Sequence, residues 1–540
     1  MSLLADLKMY ARFAGGLRGF LRQQITLAEA GEMLRRRVAE REANFLRLIE
    51  RGVFGYGRSP YRPLLQLAGC ELSDITAMVR AKGIEATLEA LHAAGVYFTF
   101  EEFKGRQPVV RQGHEIAVRP EDFDNPYLSH YYYAASSGST GAGTRIPIDL
   151  ANLAERAAYA LVASDAYGLT GAPTAQWRGV MPSAASINGL LTSARTGNVM
   201  RKWFTPVLHR DLRPSLTYRL ATQYIITVGR LSGVPLPRPE PVPLDRAEVI
   251  ARWAADMVRI HGRCSVKTFA SMALRICLSA TEAGIDLTGV TLSGGGEPMT
   301  QTKMAHIRRA GARAFPTYHF SEAGAVGMSC AQPIDENDQH FFKDGLALIQ
   351  YPREVPGVSG VTVDAFCFTS LLPTTPKLLL NVESDDYGVM EARTCGCPFE
   401  AYGFTQHIRH IRSFRKLSGE GMTLVGSEMI QILEDVLPAR FGGTAQDYQL
   451  REEEDARGFT RLSLLVHPRV AVADENALIG TILTELGKGR PSADMARAIW
   501  GQARTLQVKR EAPVWTAAGK LMPLHLMRRT APVQRGASDG

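Results

Sequence analysis

The chain has 540 residues, with 62 basic and 54 acidic side chains, a formal charge of +8, and 45% apolar against 21% charged residues. This length is too great for one hydrophobic core, and the composition excludes a disordered or collagen-like polymer, so a globular protein of two or more domains is expected. The basic excess is diluted along the chain, and its densest clusters, Arg35-Arg36-Arg37 and Arg409 to Lys416, hold few aromatics, which argues for a solvated face or a small anionic ligand and against nucleic acid.

Residues 1–24 carry Lys8, Arg12, Arg18 and Arg22 among apolar positions but lack an apolar block followed by a small-residue cleavage site, so a helix is expected there and not a signal. No apolar run is long enough to span a bilayer, although a basic amphipathic helix could touch a membrane surface. Seven scattered cysteines are too few for a disulfide scaffold and fit a reducing compartment, so a cytoplasmic location is expected. Helical spacing, as in Leu27, Ala30, Met33 and Leu34, predicts a mostly helical stretch over 25–95.

Next comes Ser136-Ser137-Gly138-Ser139-Thr140-Gly141-Ala142-Gly143-Thr144-Arg145, which combines glycines that let backbone N–H groups approach an anion, hydroxyl donors and a guanidinium. A nucleotide triphosphate suits such a loop, and a flexible linker is the plainer reading. It is not a Walker loop, since no lysine follows its last glycine and Ile146 to Asp149 reads as extended. A helix is predicted over 151–169. Short apolar runs such as Gly179-Val180-Met181 then alternate with helical stretches, Arg246 to Ile260 and Lys303 to Ala310, which predicts a layered α/β domain. Five prolines between Gly233 and Pro243 predict a surface loop.

A strand at Val290 to Leu292 leads into Ser293-Gly294-Gly295-Gly296-Glu297-Pro298, a second close-approach turn at a strand end. Tyr318-His319-Phe320-Ser321-Glu322 follows, placing an aromatic face four residues before a carboxylate that could hold Mg²⁺. Beyond about Arg412, strands are predicted at Thr423 to Val425, Tyr448 to Leu450 and Thr460 to Val466, with helices at Ser427 to Leu437 and Ser492 to Thr505, as in a second, smaller domain.

The order and spacing of these pieces resemble the adenylate-forming superfamily of acyl-CoA synthetases, most closely its phenylacetate-CoA ligase branch. Ser384-Asp385-Asp386-Tyr387-Gly388 is similar to that family's ribose-binding aspartate motif, and Thr516-Ala517-Ala518-Gly519-Lys520 to its closing lysine motif. The resemblance implies an α/β fold: a large layered N-terminal domain over 1–413, with sheets flanked by helices, a small barrel-like part and a mainly helical lead-in over 1–125. A mobile α+β domain over 414–540 would carry the catalytic lysine.

It further implies an acid–thiol ligase that uses ATP and Mg²⁺ to make an acyl-adenylate and release pyrophosphate, then passes the acyl group to coenzyme A. A carrier-protein phosphopantetheine or an amine is the alternative acceptor, and a catalytically retired nucleotide- or acyl-binding module the alternative function. A homodimer is compatible with it, and nucleic acid is not an expected partner. Lys520 would bridge the substrate carboxylate and the α-phosphate. Glu322 would hold Mg²⁺, while Ser136, Ser137, Gly138, Ser139, Thr140, Gly141 and Arg145 would wrap the outer phosphates. Gly295, Gly296, Glu297, Tyr318 and Ser321 would face the nucleotide, with Tyr318 stacked on adenine. Asp386, helped by Arg412, would hold the ribose.

A hinge is expected at Phe414 to Lys416, although the aspartate that relatives place there is missing. The acyl pocket would be lined by Trp177 to Pro182, Asn188 to Thr192 and Phe269 to Met272, near Gly294 and Ala323. Such an apolar lining suits an aryl or fatty acid, and the same residues could equally be core. His319, where relatives have glycine, either shapes that pocket or packs as a buried imidazole. Cys330, His340, Cys395 and Cys397 would satisfy a structural tetrahedral zinc, with free buried cysteines as the alternative. Cys70, Cys264, Cys277 and Cys367 read as core residues.

Overall fold

The computed structural model describes residues 3–135, 145–208, 216–354, 362–413, 416–420, 422–486, 491–515, 521 and 524–525. Helix starts follow their capping residues. Thr26 accepts from the Glu29 N–H at 3.2 Å while Glu29 accepts from the Thr26 N–H at 2.8 Å, which opens the helix Leu27–Ala39. Asp149 caps the helix Leu150–Ala166 through the Ala151 N–H at 2.7 Å, and its other oxygen takes the Ser129 and His130 N–H groups. The expected helical stretch is realised as several helices between Leu27 and Ala93, and the N-terminal helix runs Leu3–Arg22. No helix among the described residues is long and apolar enough to cross a membrane.

A mixed sheet of twelve strands organises the larger part of the chain. One half is parallel. The strands Thr174–Trp177, Lys202–Thr205, Cys264–Phe269 and Val290–Gly295 alternate with helices such as Ala184–Arg195, Glu248–His261 and Ala270–Glu282, as crossover connections require. The other half is antiparallel, built from Gly324–Ser329, Gln339–Phe341, Leu346–Glu354, Thr362–Ser370, Val382–Ala392 and Gln406–Ser413. The strand Arg313–Phe320 joins them, pairing parallel with Val290–Gly295 and antiparallel with Gly324–Ser329. A carboxylate in the turn after it therefore stands where the two halves meet.

Several expectations shift by a few residues. The apolar run Gly179-Val180-Met181 lies after the strand Thr174–Trp177, in irregular backbone. Inside the proline-rich loop, Pro239–Pro241 forms a short parallel strand at one edge of the sheet, a position that prolines tolerate. Arg37 is no solvated residue: it is 6% exposed, and its guanidinium lies 3.3 Å from Glu155 and 3.5 Å from Asp344. Arg409 is likewise engaged, by Glu391 and Asp335.

After Ser413 the chain enters the ribbon Lys416–Gly419 and Met422–Val425, then a four-stranded sheet in which Tyr448–Glu454 and Thr460–Val466 pair antiparallel. The helix Glu475–Leu486 was not expected from the sequence, whereas Pro491–Ala503 matches its prediction closely. This part packs on the parallel half: Leu450, Leu462 and Trp500 share one apolar cluster with Val266, Ala273 and Leu292. Arg275 and Glu420 clasp the two parts with an ion pair of 2.5 Å.

Candidate active site

Geometry at the junction of the two half-sheets starts from glycine. A Cβ on Gly295 would lie 2.6 Å from Thr317 Oγ1, so the bare backbone is what lets the strand ends Val290–Gly295 and Arg313–Phe320 sit side by side. Gly296 follows with φ +78°, a left-handed turn that favours glycine. Glu297 then turns inward: its carboxylate accepts from Ser271 Oγ at 2.5 Å and lies 3.3 Å from Lys303 Nζ, tying the turn to the helices Ala270–Glu282 and Gln301–Arg309.

The next strand carries a register shift between Tyr318 and His319. Such a bulge re-aims side chains at a strand end. Tyr318 donates its hydroxyl to Asp386 Oδ2 at 2.7 Å, and Ser413 donates to Asp386 Oδ1. Asp386 stands opposite Ser413, and Tyr387 opposite Arg412, in the pairing of Val382–Ala392 with Gln406–Ser413. Asp385, just before, is buried and takes φ +62°, a left-handed conformation that aspartate accepts more readily than most residues.

Glu322 lies in the turn Ser321 to Ala323 and is 2% exposed, while Ser321 is exposed. Its carboxylate is ion-paired with Lys104, which reaches in from the end of the helix Phe100–Phe103. Burial works to raise the Glu322 pKa, yet the Lys104 charge and hydrogen bond, helped by Lys377, hold it below the ordinary carboxylate value. Lys377 is itself paired with Asp124 at 2.5 Å. Glu322 is thus an ionised carboxylate, a ligand type that fits a hard cation arriving with a polyphosphate, provided Lys104 yields.

Of the expected nucleotide residues, the structure brings Tyr318 onto Asp386, with Arg412 on the paired strand; Ser321 and Glu322 follow Tyr318 in the turn after its strand, and Gly295, Gly296 and Glu297 lie at the adjoining strand end. Arg145 begins the strand Arg145–Asp149, with its guanidinium 3.3 Å from the centre of the Tyr133 ring. Ser136, Ser137, Gly138, Ser139, Thr140, Gly141 and Lys520 lie outside the described residues, as do Phe414 and Arg415 of the expected hinge. Lys104, Lys377 and Ser413 were not anticipated. Lys104 stands far from any motif, Lys377 precedes the Ser384 to Gly388 motif without belonging to it, and Ser413 could have been found as the residue next to Arg412 on a paired strand.

Four side chains of metal-ligand chemistry also converge at one site. The ligand atoms of Cys330, His340, Cys395 and His407 all lie within 4.8 Å of one another. His407 joins this set, and the thiol of Cys397, expected as a ligand, hydrogen-bonds with Cys330 and with His340, while its backbone N–H lies 3.4 Å from Cys395 Sγ. His340 donates from Nδ1 to the Phe404 carbonyl at 2.8 Å, which leaves Nε2 toward Cys395 Sγ at 3.7 Å. His407 shares its Nδ1 proton with Asp338 Oδ1 at 2.6 Å, and its buried Nε2 has no hydrogen-bond partner. Thiols together with two imidazoles, each ring anchored by its other nitrogen, fit the donor set and outer shell of tetrahedral zinc. Cys264, Cys277 and Cys367 are buried and Cys70 is half-buried, as expected of core thiols.

No protein-family model and no curated protein matches the chain. Among solved structures it is similar to a 2-hydroxyisobutyryl-CoA ligase in complex with 2-HIB-AMP and CoA, at 15% identity and a TM-score of 0.54, over 94% of this chain and 91% of that one. It is also similar to an o-succinylbenzoate CoA synthetase from Bacillus subtilis, at 12% identity and a TM-score of 0.40 over 86% of this chain and 80% of that one. An amide bond synthetase from Marinactinospora thermotolerans aligns at 13% identity and a TM-score of 0.40, over 95% and 98% of the two chains. These likenesses do not single out the phenylacetate-CoA ligase branch. The first of them, near full length on both sides, shows that the chain has the fold of the adenylate-forming enzymes.

Proposed function

We propose that this chain is an adenylate-forming acid–thiol ligase. The observation that carries the reading is the convergence of Tyr318, Asp386 and Ser413 in one hydrogen-bonded set, one turn away from the buried, ionised Glu322. Asp386, with both oxygens oriented by neighbours, is suited to accept from the ribose hydroxyls of ATP, with Arg412 across the strand pair. Glu322 is the residue that would hold the Mg²⁺ brought in with the nucleotide, which offsets charge on the phosphates. The loop Ser136 to Arg145 wraps the outer phosphates in this reading, and Lys520 lies between the two anions that must meet.

In the first step a carboxylate oxygen attacks the α-phosphorus, the anhydride bond to the β-phosphate breaks, and pyrophosphate leaves. In the second, a thiolate attacks the acyl carbonyl and AMP leaves, the thiol proton passing to solvent. Coenzyme A is the proposed thiol, with a carrier-protein phosphopantetheine or an amine as the alternative acceptor. The same reading includes a structural zinc on Cys330, His340 and Cys395, with Cys397 or His407 as the fourth ligand; the thiol contacts of Cys397 support the first and the orphaned Nε2 of His407 the second. One observation favours a retired binding module instead: the Lys104 ion pair occupies the carboxylate assigned to Mg²⁺.

The deciding experiment measures pyrophosphate release over a panel of carboxylic acids, with and without coenzyme A, for wild type and Lys520→Ala. Release that depends on an acid and on Lys520 is the expected result. Silence across the panel favours the binding module, and acyl-AMP that persists with coenzyme A present favours another acceptor.

A further inference from the structure

Two strands, the end of a third and a helix bring basic side chains to one region beside Tyr318. Arg178 follows the strand Thr174–Trp177, and its Nη1 donates to the Ala185 carbonyl at 3.2 Å in the first turn of the helix Ala184–Arg195. Lys267 lies on the neighbouring strand Cys264–Phe269, in register with Ser293, and its Nζ donates to Ser193 Oγ at 3.2 Å farther along the same helix. His319 is exposed on the bulged strand Arg313–Phe320, so it is not a packed core imidazole. Arg156, on the helix Leu150–Ala166, repels Arg178, Lys267 and His319.

Arg156, Arg178 and Lys267 form a basic cluster without a counterion, with His319 beside them. Among the described residues no carboxylate pairs with any of them, and the Nε of Arg178 is buried with no hydrogen-bond partner. Gln176, wholly buried, has an Oε1 without a partner as well. Room is kept beside these groups by a glycine in mid-helix: a Cβ on Gly189 would come 2.7 Å from Gln176 Oε1 and 3.8 Å from Arg178 Nη1. Burial and then the other cations push Lys267 down to about 8 and Arg178 to about 10, so both are still mainly charged at neutral pH.

Half-buried cations with no counterion repel one another, and a bound anion would supply the missing charge. Adenylation brings one carboxylate per acid, and that carboxylate is consumed at the α-phosphorus. A cluster of this extent, anchored from Ala185 to Ser193 along one helix, fits a second negative group on the same substrate. Resting on the adenylation reading, we propose that the acid activated is a dicarboxylate, whose non-reacting carboxylate is held by Arg178 and Lys267 with Arg156 behind them.

The test compares ATP–pyrophosphate exchange by the full chain on matched pairs of mono- and dicarboxylic acids, both aliphatic and aromatic. The expected result is a preference of about tenfold or more for the diacid in kcat/KM, as a site built for a polar group rejects an analogue lacking it. Lys267→Met, and separately Arg178→Gln, should raise the diacid KM and erase that preference while the KM for ATP stays put. Equal use of mono- and diacids overturns the proposal. So does a rise in the ATP KM with no change for the diacid, because the cluster would then serve the triphosphate. If no acid supports exchange, the adenylation reading is what fails, and calorimetry decides the anion pocket. Heat of dicarboxylate binding that is lost in Lys267→Met upholds it, and no heat in wild type overturns it.

Discussion

Tyr318 and Asp386, 68 residues apart in sequence, are joined by a hydrogen bond of 2.7 Å that also aims the carboxylate. With Ser413 on its second oxygen, Asp386 is held for an incoming pair of hydroxyls and does not need to reorganise when they arrive. Asp386→Ala is expected to raise the KM for ATP about 10- to 100-fold, the loss of charge-assisted hydrogen bonds of about 1.5–3 kcal/mol. Tyr318→Phe keeps the ring and removes only the tether, so the rise should be about fivefold. Initial rates of pyrophosphate exchange against ATP concentration check both, and equal effects would mean that the tyrosine does more than orient.

Lys104 and Glu322 form a buried pair, and removing one partner strands the other. Lys104→Met should cost about 3–5 kcal/mol of stability, because an unpaired buried carboxylate remains. In the wild type the Glu322 pKa is depressed, so its contribution is present above the unfolded value of about 4.3 and is lost as the pH falls through the lower folded value. Thermal melts from acid to neutral pH should therefore show this contribution for wild type and not for Lys104→Met, and Glu322→Gln in the Lys104→Met background should restore part of the loss.

Metal content is checked directly. Purified protein should hold about one zinc per chain, and Asp338→Asn, which loosens the His407 ring without removing a ligand, should weaken zinc binding about 10- to 100-fold. A chelator-treated chain that melts at the same temperature as the untreated one would exclude a structural role.

Glu452, on the strand Tyr448–Glu454, meets the charges of Lys303, Glu297 and Arg412 from the larger part of the chain. Burial pushes its pKa up to about 7. A raised folded pKa stabilises the fold below the unfolded value of about 4.3, and the benefit is lost as the pH rises. Relative to Glu452→Gln, wild type should lose stability steadily from about pH 4 to about pH 7 and then run level, as read from denaturant midpoints across that range.

The layered fold was legible because its signals are local: the periodicity of 25–95 and the strands at Val290 to Leu292 and Thr460 to Val466 each depend on adjacent residues. The nucleotide side was legible because Tyr318 to Glu322 and Ser384 to Gly388 are contiguous motifs. Lys104 was not, since it meets Glu322 across 218 residues and no spacing announces it. His407 was not legible for a related reason: it reaches Cys330 and His340 only through the pairing of its strand with Gln339–Phe341, and no short spacing announces that. Arg178, Lys267 and Arg156 sit on separate elements, so only the packed sheet shows that their charges accumulate in one place.

The edge strand Pro239–Pro241 has a consequence for how the large sheet meets other molecules. Val242 donates its N–H inward to the Thr205 carbonyl at 2.8 Å, so even-numbered residues face the sheet and odd-numbered ones face out. Both outward positions within the strand are proline, which has no N–H to offer. A passing strand finds no donors there to zip onto, and this border of the twelve-stranded sheet is protected against end-to-end stacking of copies by two residues that a sequence reader would take as mere loop.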